Sequence, residues 1–383
     1  MEDIKQVQLS EIVELITKGT TPTTLEYEFQ DEGVNFLKIE CFDENGGFIE
    51  SKVAHISEEC HKKMKRSQLK NGDILFSIAG AIGRVAIVTE EMLPANINQA
   101  LAIIRISDGQ VYLPYIKLIL TSPIVIEQFE RKKQGVAQLN LSLKDINEIS
   151  IPLPSKDKQI EFAELFDKVV GVISKRNKEL SALDDLIKAR FVELFGDRYV
   201  NDKNWNTMKL GDSISFNNGK AHEQVVDENG QYILVTSRAI ASDFKDVRRT
   251  NELLFPLHKN DIVMVMSDVP NGKALAKCQL IEENNKYTLN QRICSFDNYN
   301  YNPVFLLFLL SRNPYFLSFN DGNGQTNLRK NDILDCELID PPVKLQRQFA
   351  DFVAQVDKSK VAVQKALDET QMLFDSLMQK YFV

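Results

Sequence analysis

Two short motifs combine residue types that could act on the amino group of a nucleobase. Amino-methyltransferases need an Asp or Asn, two prolines and an aromatic ring that stacks on the target base. Asp340-Pro341-Pro342-Val343 ends in an aliphatic residue, and Asn313-Pro314-Tyr315-Phe316 lacks the second proline. No Gly-rich cofactor loop follows a first strand in either half of the sequence. The sequence therefore favours a proline-stiffened hinge before a helix over a catalytic loop.

Other combinations of reactive residues also favour structural roles. Cys41, His55, Cys60 and His61 could be imagined as zinc ligands, but they contain no Cys-x-x-Cys clip. We interpret them as buried thiols and surface imidazoles and predict no metal site. The glycine loop at residues 80–83 is not followed by Lys-Ser/Thr, so a tight turn is favoured over a phosphate loop. With four histidines and no Ser/His/Asp signature, we predict no catalytic residue.

Length and composition indicate two ordinary domains. The chain has 383 residues, of which 43% are hydrophobic and 26% charged, as in soluble globular proteins. The five scattered cysteines, the charged N-terminal stretch and the lack of an apolar run of ~18 residues predict a cytoplasmic protein without a membrane span. The net charge of −8 argues against a simple nucleic-acid binder, because phosphate contacts require Lys and Arg. Any DNA role needs local basic patches, such as residues 61–66, or a cationic partner.

The spacing of apolar residues at 156–196 predicts a long helix around which the rest of the chain is organised. Apolar residues recur there at alternating steps of four and three, which suits coiled-coil packing. Arg176 and Arg190 interrupt this seam. At ~1.5 Å per residue the helix would reach roughly 60 Å. Its predicted seam residues are Phe162, Phe166, Val169, Ile173, Leu180, Leu183, Ile187 and Leu194.

A second helix is predicted at residues 343–383, where the same seam recurs at a constant offset of 187 residues. If the two helices pack antiparallel in register, Phe162 lies against Tyr381, Phe166 lies near Leu377 and Lys360 lies beside Leu183. The seam residues of the second helix are Phe349, Val353, Val356, Val363, Leu367, Phe374, Leu377 and Tyr381.

The repeat extends upstream of both helices, so the chain is two diverged copies of one unit. The predicted fold class is α+β, with two similar mixed α/β domains joined by two long helices packed as a coiled coil, in a pseudo-two-fold internal repeat. The predicted boundaries are a first domain at 1–154, a first helix at 155–197, a second domain at 198–342 and a second helix at 343–383. In the first domain we predict a helix at 9–17, strands at 33–39, 48–56, 73–78, 84–89 and 101–106, and a helix at 113–134.

This organisation resembles the specificity subunit of type I restriction–modification systems, over essentially the whole chain. Each motif alone is a weak indicator of this family, but the same order of motifs in both halves of the chain is a specific one. The second half departs from the pattern where Asn217-Asn218-Gly219-Lys220 replaces residues 18–22 and where Asn260 replaces Gly72. The motifs similar to the family's are Gly19-Thr20-Thr21-Pro22, Gly72-Asp73-Ile74-Leu75, the Asn-Gln pairs at 98–99 and 290–291, and the Gln-x-Asn-Leu elements at 138–141 and 325–328.

The resemblance implies a non-catalytic DNA-reading subunit. Each domain, called a target-recognition domain in the family, would read one half of a bipartite site in double-stranded DNA. The two long helices would pack as an antiparallel coiled coil that sets the spacer. The helices would also dock two modification subunits, which bring S-adenosylmethionine for adenine methylation, so no cofactor is expected in this chain. Motor-nuclease (restriction) subunits would join to give restriction.

For DNA contacts we predict polar and basic residues in loops at the edge of each sheet, because Arg and Lys pair with guanine in the major groove. Gln138, Asn140, Gln325 and Asn327 are interpreted as structural amides near the helix base. The predicted DNA-binding residues are Lys18, Thr20, Thr21, Lys38, Lys65, Arg66, Ser77, Arg84, Lys220, His222, Ser237, Arg238, Ser267 and Arg292.

Two other classes of function stay open at the level of sequence. One is a stand-alone adenine-specific DNA methyltransferase, which the incomplete motifs disfavour and S-adenosylmethionine binding by the isolated chain would revive. The other is a coiled-coil scaffold that joins proteins without touching DNA. A mobility-shift assay with the co-purified modification subunit would separate a scaffold from a DNA reader.

Overall fold

The computed structural model describes residues 4–107, 109–130, 140–197, 200–222, 224–269, 272–322 and 324–382. The chain forms two compact units. The first comprises residues 1–177 together with 366–383, and the second comprises residues 178–365. Each unit thus combines one globular part with segments of both long helices. Within the described ranges, no helix is both long enough and apolar enough to cross a membrane.

Two sheets form the globular part of the first unit. A four-stranded antiparallel sheet has the order β2-β8-β5-β6, and a three-stranded sheet has the order β4-β3-β7, in which β3 and β7 are parallel. A separate pair, β1 and β9, lies where the chain enters the first long helix. The strands are β1 Lys5–Gln8, β2 Val13–Lys18, β3 Val34–Leu37, β4 Ala54–Ile56, β5 Ile74–Ser77, β6 Val85–Ile87, β7 Ala95–Ile97, β8 Leu101–Ile106 and β9 Ser150–Leu153.

The four-stranded sheet is buried on both faces. Successive side chains of a strand point to opposite faces, so Ile74 and Phe76 join the core formed with helices α2 and α3, while Leu75 joins the core shared with the three-stranded sheet. This explains why β5 is a continuous apolar run rather than an alternating one. The helices of this unit are α1 Glu58–Lys63, α2 Leu113–Leu120, α3 Pro123–Glu130, α4 Leu143–Asn147 and the first part of α5 Lys156–Phe195.

Three local predictions in the first unit are wrong. The strand predicted at 48–56 is confined to β4 Ala54–Ile56, and Glu50–Lys52 forms a 3-10 turn before it. Residues 9–17 do not form a helix: a 3-10 turn at Leu9–Glu11 leads into β2, because pairing of β2 with β8 overrides local propensity. The single helix predicted at 113–134 is two helices, since Pro123 lacks the N–H that would continue α2. Residues 131–134 lie outside the described residues.

The second unit repeats this topology strand for strand. The order β11-β18-β14-β16 matches β2-β8-β5-β6, and β13-β12-β17 matches β4-β3-β7. β10 pairs with β20 as β1 pairs with β9, and an additional short pair joins β15 and β19. The strands are β10 Thr207–Lys209, β11 Ser215–Asn218, β12 Tyr232–Val235, β13 Arg248–Thr250, β14 Ile262–Val265, β15 Ser267–Asp268, β16 Cys278–Leu280, β17 Tyr287–Leu289, β18 Ile293–Asp297, β19 Thr326–Asn327 and β20 Glu337–Ile339. The helices are α6 Ser237–Ala241, α7 Pro303–Leu310, α8 Pro314–Leu317, α9 Lys330–Leu334 and α10 Val343–Phe382.

The long helices pack antiparallel within each unit, as predicted. In the first unit the rings of Phe162 and Tyr381 lie 4.9 Å apart. In the second unit Lys360 Nζ lies 2.7 Å from Asp184 Oδ1, next to the expected Leu183. Every predicted seam residue is buried or half-buried.

The seam differs from the prediction at the end of each helix. Phe191 and Phe195 are buried at the end of α5, whereas the predicted Leu194 is only half-buried. Phe382 is likewise buried at the end of α10, where it contacts Tyr115 of α2. At these ends α5 also faces the globular part of the second unit, through Phe305, and α10 also faces that of the first unit. A strict two-per-heptad seam is too narrow for two contacts, so the apolar stripe widens.

Candidate nucleic-acid interface

Several predicted DNA-binding residues meet at one end of the four-stranded sheet of the first unit. Strand β2 ends at Lys18, which faces Ala102, and β5 ends at Ser77, which faces Leu101. Arg84 immediately precedes β6, whose first residue faces the end of β5. Because these strands are antiparallel neighbours, the three residues lie at the same sheet end, although they are far apart in sequence.

The three-stranded sheet ends at the same place. Strands β3 and β7 are parallel, so the residues after both of them lie at one edge. Lys38 follows β3, and the Asn98 backbone N–H donates to Leu37 O at 3.4 Å. Asn98 and Gln99 then connect β7 to β8 and thereby join the ends of the two sheets. We call this edge the first loop edge, formed by residues 18–22, 38, 77–84 and 98–100.

A glycine brings the loop after β2 against this connection. A Cβ added to Gly19 would lie 2.0 Å from Ile97 O, so only glycine permits the approach. The Thr21 hydroxyl donates to Gln99 Oε1. Asn98 Oδ1 accepts from the Ala100 N–H at 3.2 Å, which holds the turn that starts β8.

The second unit builds the same edge from different side chains. A Cβ on Gly219 would lie 2.1 Å from Asn290 O, and Asn290 Oδ1 accepts from the Arg292 N–H at 3.3 Å. The Asn290 backbone N–H donates to Val235 O at 3.3 Å, which places Ser237 and Arg238 beside it. This second loop edge comprises residues 219–222, 236–238, 266–268 and 290–292.

Exposure separates the predicted DNA-binding residues into those that can reach a ligand and those that cannot. Thr20, Thr21, Lys38, Arg84 and Ser237 are half-buried. Lys38 lies 4.0 Å from Glu40, Arg84 donates to Phe42 O and Arg238 lies 3.7 Å from Asp246. The exposed members are Lys18, Lys65, Arg66, Lys220, Arg238 and Arg292.

Three predicted contacts are corrected by burial. The Ser77 hydroxyl is buried and donates to Ala79 O at 3.1 Å. His222 is 1% exposed, with Nδ1–H donating to Lys220 O at 2.7 Å and Nε2 3.0 Å from Thr288 Oγ1. Ser267 is buried on β15, where it pairs with Asn327. The side chains of Ser77 and His222 bond groups within the loop edges, and the burial of all three residues disfavours direct contact with a ligand.

Five of the predicted DNA-binding residues carry unpaired cations. Among the described residues, the side chains of Lys18, Lys65, Arg66, Lys220 and Arg292 form no ion pair or hydrogen bond. Unpaired surface cations are the groups that displace counterions from a nucleic-acid backbone. Lys65 and Arg66 lie on the 3-10 turn Lys65–Ser67, beside the bridge between Gln68 and Asn96, rather than on the first loop edge itself.

Gln99 and Gln291 are exposed residues of the two edges that the predicted contacts omitted. Each follows the asparagine that starts the turn into the central strand. The signal was present in the repeated Asn-Gln pair, which the sequence analysis used only as a family motif. The Gln-x-Asn-Leu elements also reach the edges: the Leu141 N–H donates to Ile78 O, and the Leu328 N–H donates to Met266 O. Gln138 lies outside the described residues.

The alternative chemical motifs are occupied by structural contacts. Asn313 caps α8 by accepting from the Tyr315 N–H at 2.9 Å, and its amide donates to Leu309 O. Burial raises the pKa of the Cys41 and Cys60 thiols, which disfavours the thiolate that zinc requires. Within the described ranges, no three His, Cys, Asp or Glu side chains are grouped for a metal ion.

Comparison with known proteins identifies consistent relatives. The family model described as type I restriction modification DNA specificity domain matches residues 1–182 and 202–370. The type I restriction enzyme EcoBI specificity subunit of Escherichia coli is 30% identical over 171 residues, which are 43% of this chain and 35% of that protein. A putative type I restriction enzyme MjaX specificity subunit of Methanocaldococcus jannaschii is 25% identical over 226 residues, 55% of this chain and 50% of that protein. The matched part thus spans half or less of these curated relatives.

Two solved structures share the fold over nearly the whole chain. One, from a study of complex assembly and conformational transition of the type I R-M system, has a TM-score of 0.57 at 15% identity and covers 99% of this chain and 96% of its own. The other, a type I restriction-modification S subunit from M. genitalium, has a TM-score of 0.54 at 14% identity and covers 100% and 97%. At these identities the likeness concerns the fold.

Proposed function

The chain belongs to the type I restriction modification DNA specificity family, and from this membership we propose that it selects the DNA site of a type I restriction–modification complex. Each globular part reads one half of a bipartite site in double-stranded DNA. The helices α5 and α10 set the distance between the halves and bind two modification subunits, and restriction subunits join that complex. The chain itself performs no chemistry, and S-adenosylmethionine binds to the modification subunits. The complex acts in the cytoplasm.

The observation that supports this proposal is that the two loop edges share one backbone arrangement but carry different side chains. Gly19 and Gly219 make the same close approach, and Asn98 and Asn290 hold the same turn. The side chains after these glycines differ: Thr20 and Thr21 follow in one unit, but Lys220 and Ala221 follow in the other. A shared backbone frame with different side chains is what two readers of different half-sites require, because base edges are distinguished by donor and acceptor patterns.

The negative net charge of the chain is compatible with DNA binding if the modification subunits provide part of the phosphate contacts. The net charge of −8 gives no general attraction for phosphates. Lys18, Lys220 and Arg292 at the loop edges supply local cations for positioning, while modification subunits would neutralise the remaining backbone charge.

Methylation mapping with exchanged domains tests the proposal. The chain is co-expressed with its modification subunit, and methylated adenines are mapped across the host genome. We expect a motif of two short halves separated by a spacer of fixed length. Replacing residues 1–150 by the matching domain of a relative should change one half only. A change in both halves would mean that recognition is shared between the domains, and loss of DNA binding by the intact complex in a mobility-shift assay would favour the scaffold.

An insertion in both helices tests the spacing role. Four residues added after Leu180 and after Val363 lengthen each helix by ~6 Å and add roughly 400° of helical phase, so the apolar stripe nearly realigns. On DNA this length corresponds to about two base pairs at ~3.4 Å each. We expect weaker methylation and a motif whose halves are unchanged but whose spacer is about one or two pairs longer. A folded, DNA-binding variant with the original spacer would show that the helices do not set it.

A further inference from the structure

Two buried glutamines occupy equivalent positions in the first turns of the long helices. Gln159 in α5 is 1% exposed and Gln346 in α10 is 0% exposed. They are related by the same offset as the coiled-coil seams, yet neither belongs to the apolar stripe. A buried side-chain amide is costly unless its donors and acceptors are bonded. Their contacts therefore show what each one holds.

Gln159 bonds three separate backbone groups of the first unit. Its Oε1 accepts from the Tyr112 N–H at 2.8 Å, just before α2 begins. Its Nε2 donates to Pro154 O at 2.9 Å and to Gln110 O at 3.2 Å. The amide thus ties the start of α5 to the start of the helix that packs on the four-stranded sheet.

Gln346 makes the matching contacts in the second unit. Its Oε1 accepts from the Asn302 N–H at 2.8 Å, just before α7 begins. Its Nε2 donates to Pro341 O at 2.8 Å. Tyr112 and Asn302 are the residues that precede equivalent helices, so the same connection is built twice.

We propose that Gln159 and Gln346 are positioning residues that fix the angle between each recognition domain and the long helix that follows it. The apolar contacts at these junctions, such as Phe162 with Phe382, are non-directional and tolerate small rotations. Hydrogen bonds lose strength steeply when bent, so the amide restricts rotation where the rings do not. The inference rests on the proposed function, because a fixed angle matters for DNA only if the two domains read halves at a set distance.

The test compares DNA duplexes in a methylation assay with the intact chain–modification complex. One duplex carries the native spacer, and two others carry a spacer one base pair longer or shorter. In the wild type we expect strong preference for the native spacer. In Gln159→Met and in Gln346→Met the preference should fall threefold to tenfold, the equilibrium effect of about one net hydrogen bond, while the bases recognised in each half stay the same.

Matched controls separate positioning from stability. Val125→Ala and Leu309→Ala remove buried core atoms from the first and second units without touching the glutamines. They should lower the melting temperature but keep the spacer preference. If Gln159→Met fails to fold, Gln346→Met decides the test, since it removes the matching hydrogen bonds in the second unit. Unchanged preference in the glutamine variants, or an equal loss in the controls, overturns the proposal. A wild-type complex without spacer preference overturns the spacing function itself, and the positioning role with it.

Discussion

Equivalent buried aspartates in the two units face neighbouring side chains of opposite charge. In the first unit Asp73 is 1% exposed and forms a two-pronged ion pair with Arg105, at 2.6 Å to Nε and 2.7 Å to Nη2. In the second unit Asp261 occupies the equivalent position before β14. The register of β14 and β18 places Asp297 opposite it, where the first unit has Arg105. The repeat has therefore kept the backbone and the buried aspartate but replaced the partner cation by a second carboxylate.

This difference shows that the aspartate is retained for a backbone contact rather than for an ion pair. Asp73 Oδ2 accepts from the Lys70 N–H at 2.7 Å, and Asp261 Oδ2 accepts from the His258 N–H at 2.8 Å. Burial raises the pKa of Asp261, and the nearby Asp297 adds to this rise, while the His258 N–H opposes it. The turn needs the carboxylate in both units, but only the first unit compensates its charge with a neighbouring guanidinium.

Removing the guanidinium should have the largest effect. Arg105→Met leaves the charge of Asp73 buried and unpaired, which costs about 3–5 kcal/mol in comparable cases. We expect the free energy of unfolding of the first unit to fall by that order in urea titrations. The exposed Arg66→Met is the control and should change it by less than about 0.5 kcal/mol. A loss below about 1 kcal/mol for Arg105→Met would show that the ion pair does not distinguish the units.

Replacing the equivalent glycines Gly19 and Gly219 by alanine should lower the free energy of unfolding by an intermediate amount, similar in both units. Gly19→Ala and Gly219→Ala each place a Cβ against backbone oxygens, and overpacking of this kind typically costs about 1–3 kcal/mol. Gly171→Ala in α5 is the matched control, since nothing lies within 4 Å of its Cβ position and alanine favours the helix by about 0.8–1 kcal/mol. Denaturant titration measures all three. If one unit tolerated its alanine, the two loop edges would not be equivalent.

Removing the repulsion between Asp261 and Asp297 should give the smallest change in the free energy of unfolding, and this change should be a gain in stability. Asp297→Asn removes the like charge facing Asp261 but keeps an oxygen for the Asn217 amide. We expect the second unit to gain about 0.2–1 kcal/mol at neutral pH, the usual range for cross-strand charge pairs. The exposed Asp212→Asn should have no comparable effect.

The pH dependence of the free energy of unfolding tests whether Asp297→Asn stabilises the second unit through the charge of Asp261. A carboxyl whose pKa is raised in the folded state favours folding below its unfolded pKa, and this contribution disappears as the pH rises through the folded pKa. The gain from Asp297→Asn should therefore be present at neutral pH and vanish on acidification, once Asp261 is protonated in the wild type. A gain that persists at low pH would point to a cause other than the charge of Asp261.

Much of the architecture was predictable because its signals are periodic and local. The 3.5-residue seams of α5 and α10 and their constant offset predict two long helices that pack on each other. The family resemblance implies the antiparallel direction, and Phe162 does face Tyr381. The choice of DNA-contacting residues was less predictable. Lys18 and Lys220 are exposed as expected, whereas Ser77, His222 and Ser267 are buried. Residue type and loop position do not reveal whether a polar side chain turns inward to satisfy a neighbouring carbonyl.

The sequence by itself determined the repeat and the two long helices, since both depend on spacing along the chain. Only the tertiary structure decided that residues 13–18 form a strand, that Phe191, Phe195 and Phe382 widen the seam, and that Asp297 faces Asp261. Each of these depends on pairing between residues distant in sequence. Strand register and helix-end packing select among local alternatives of similar free energy, and that selection is made by burial across the whole unit.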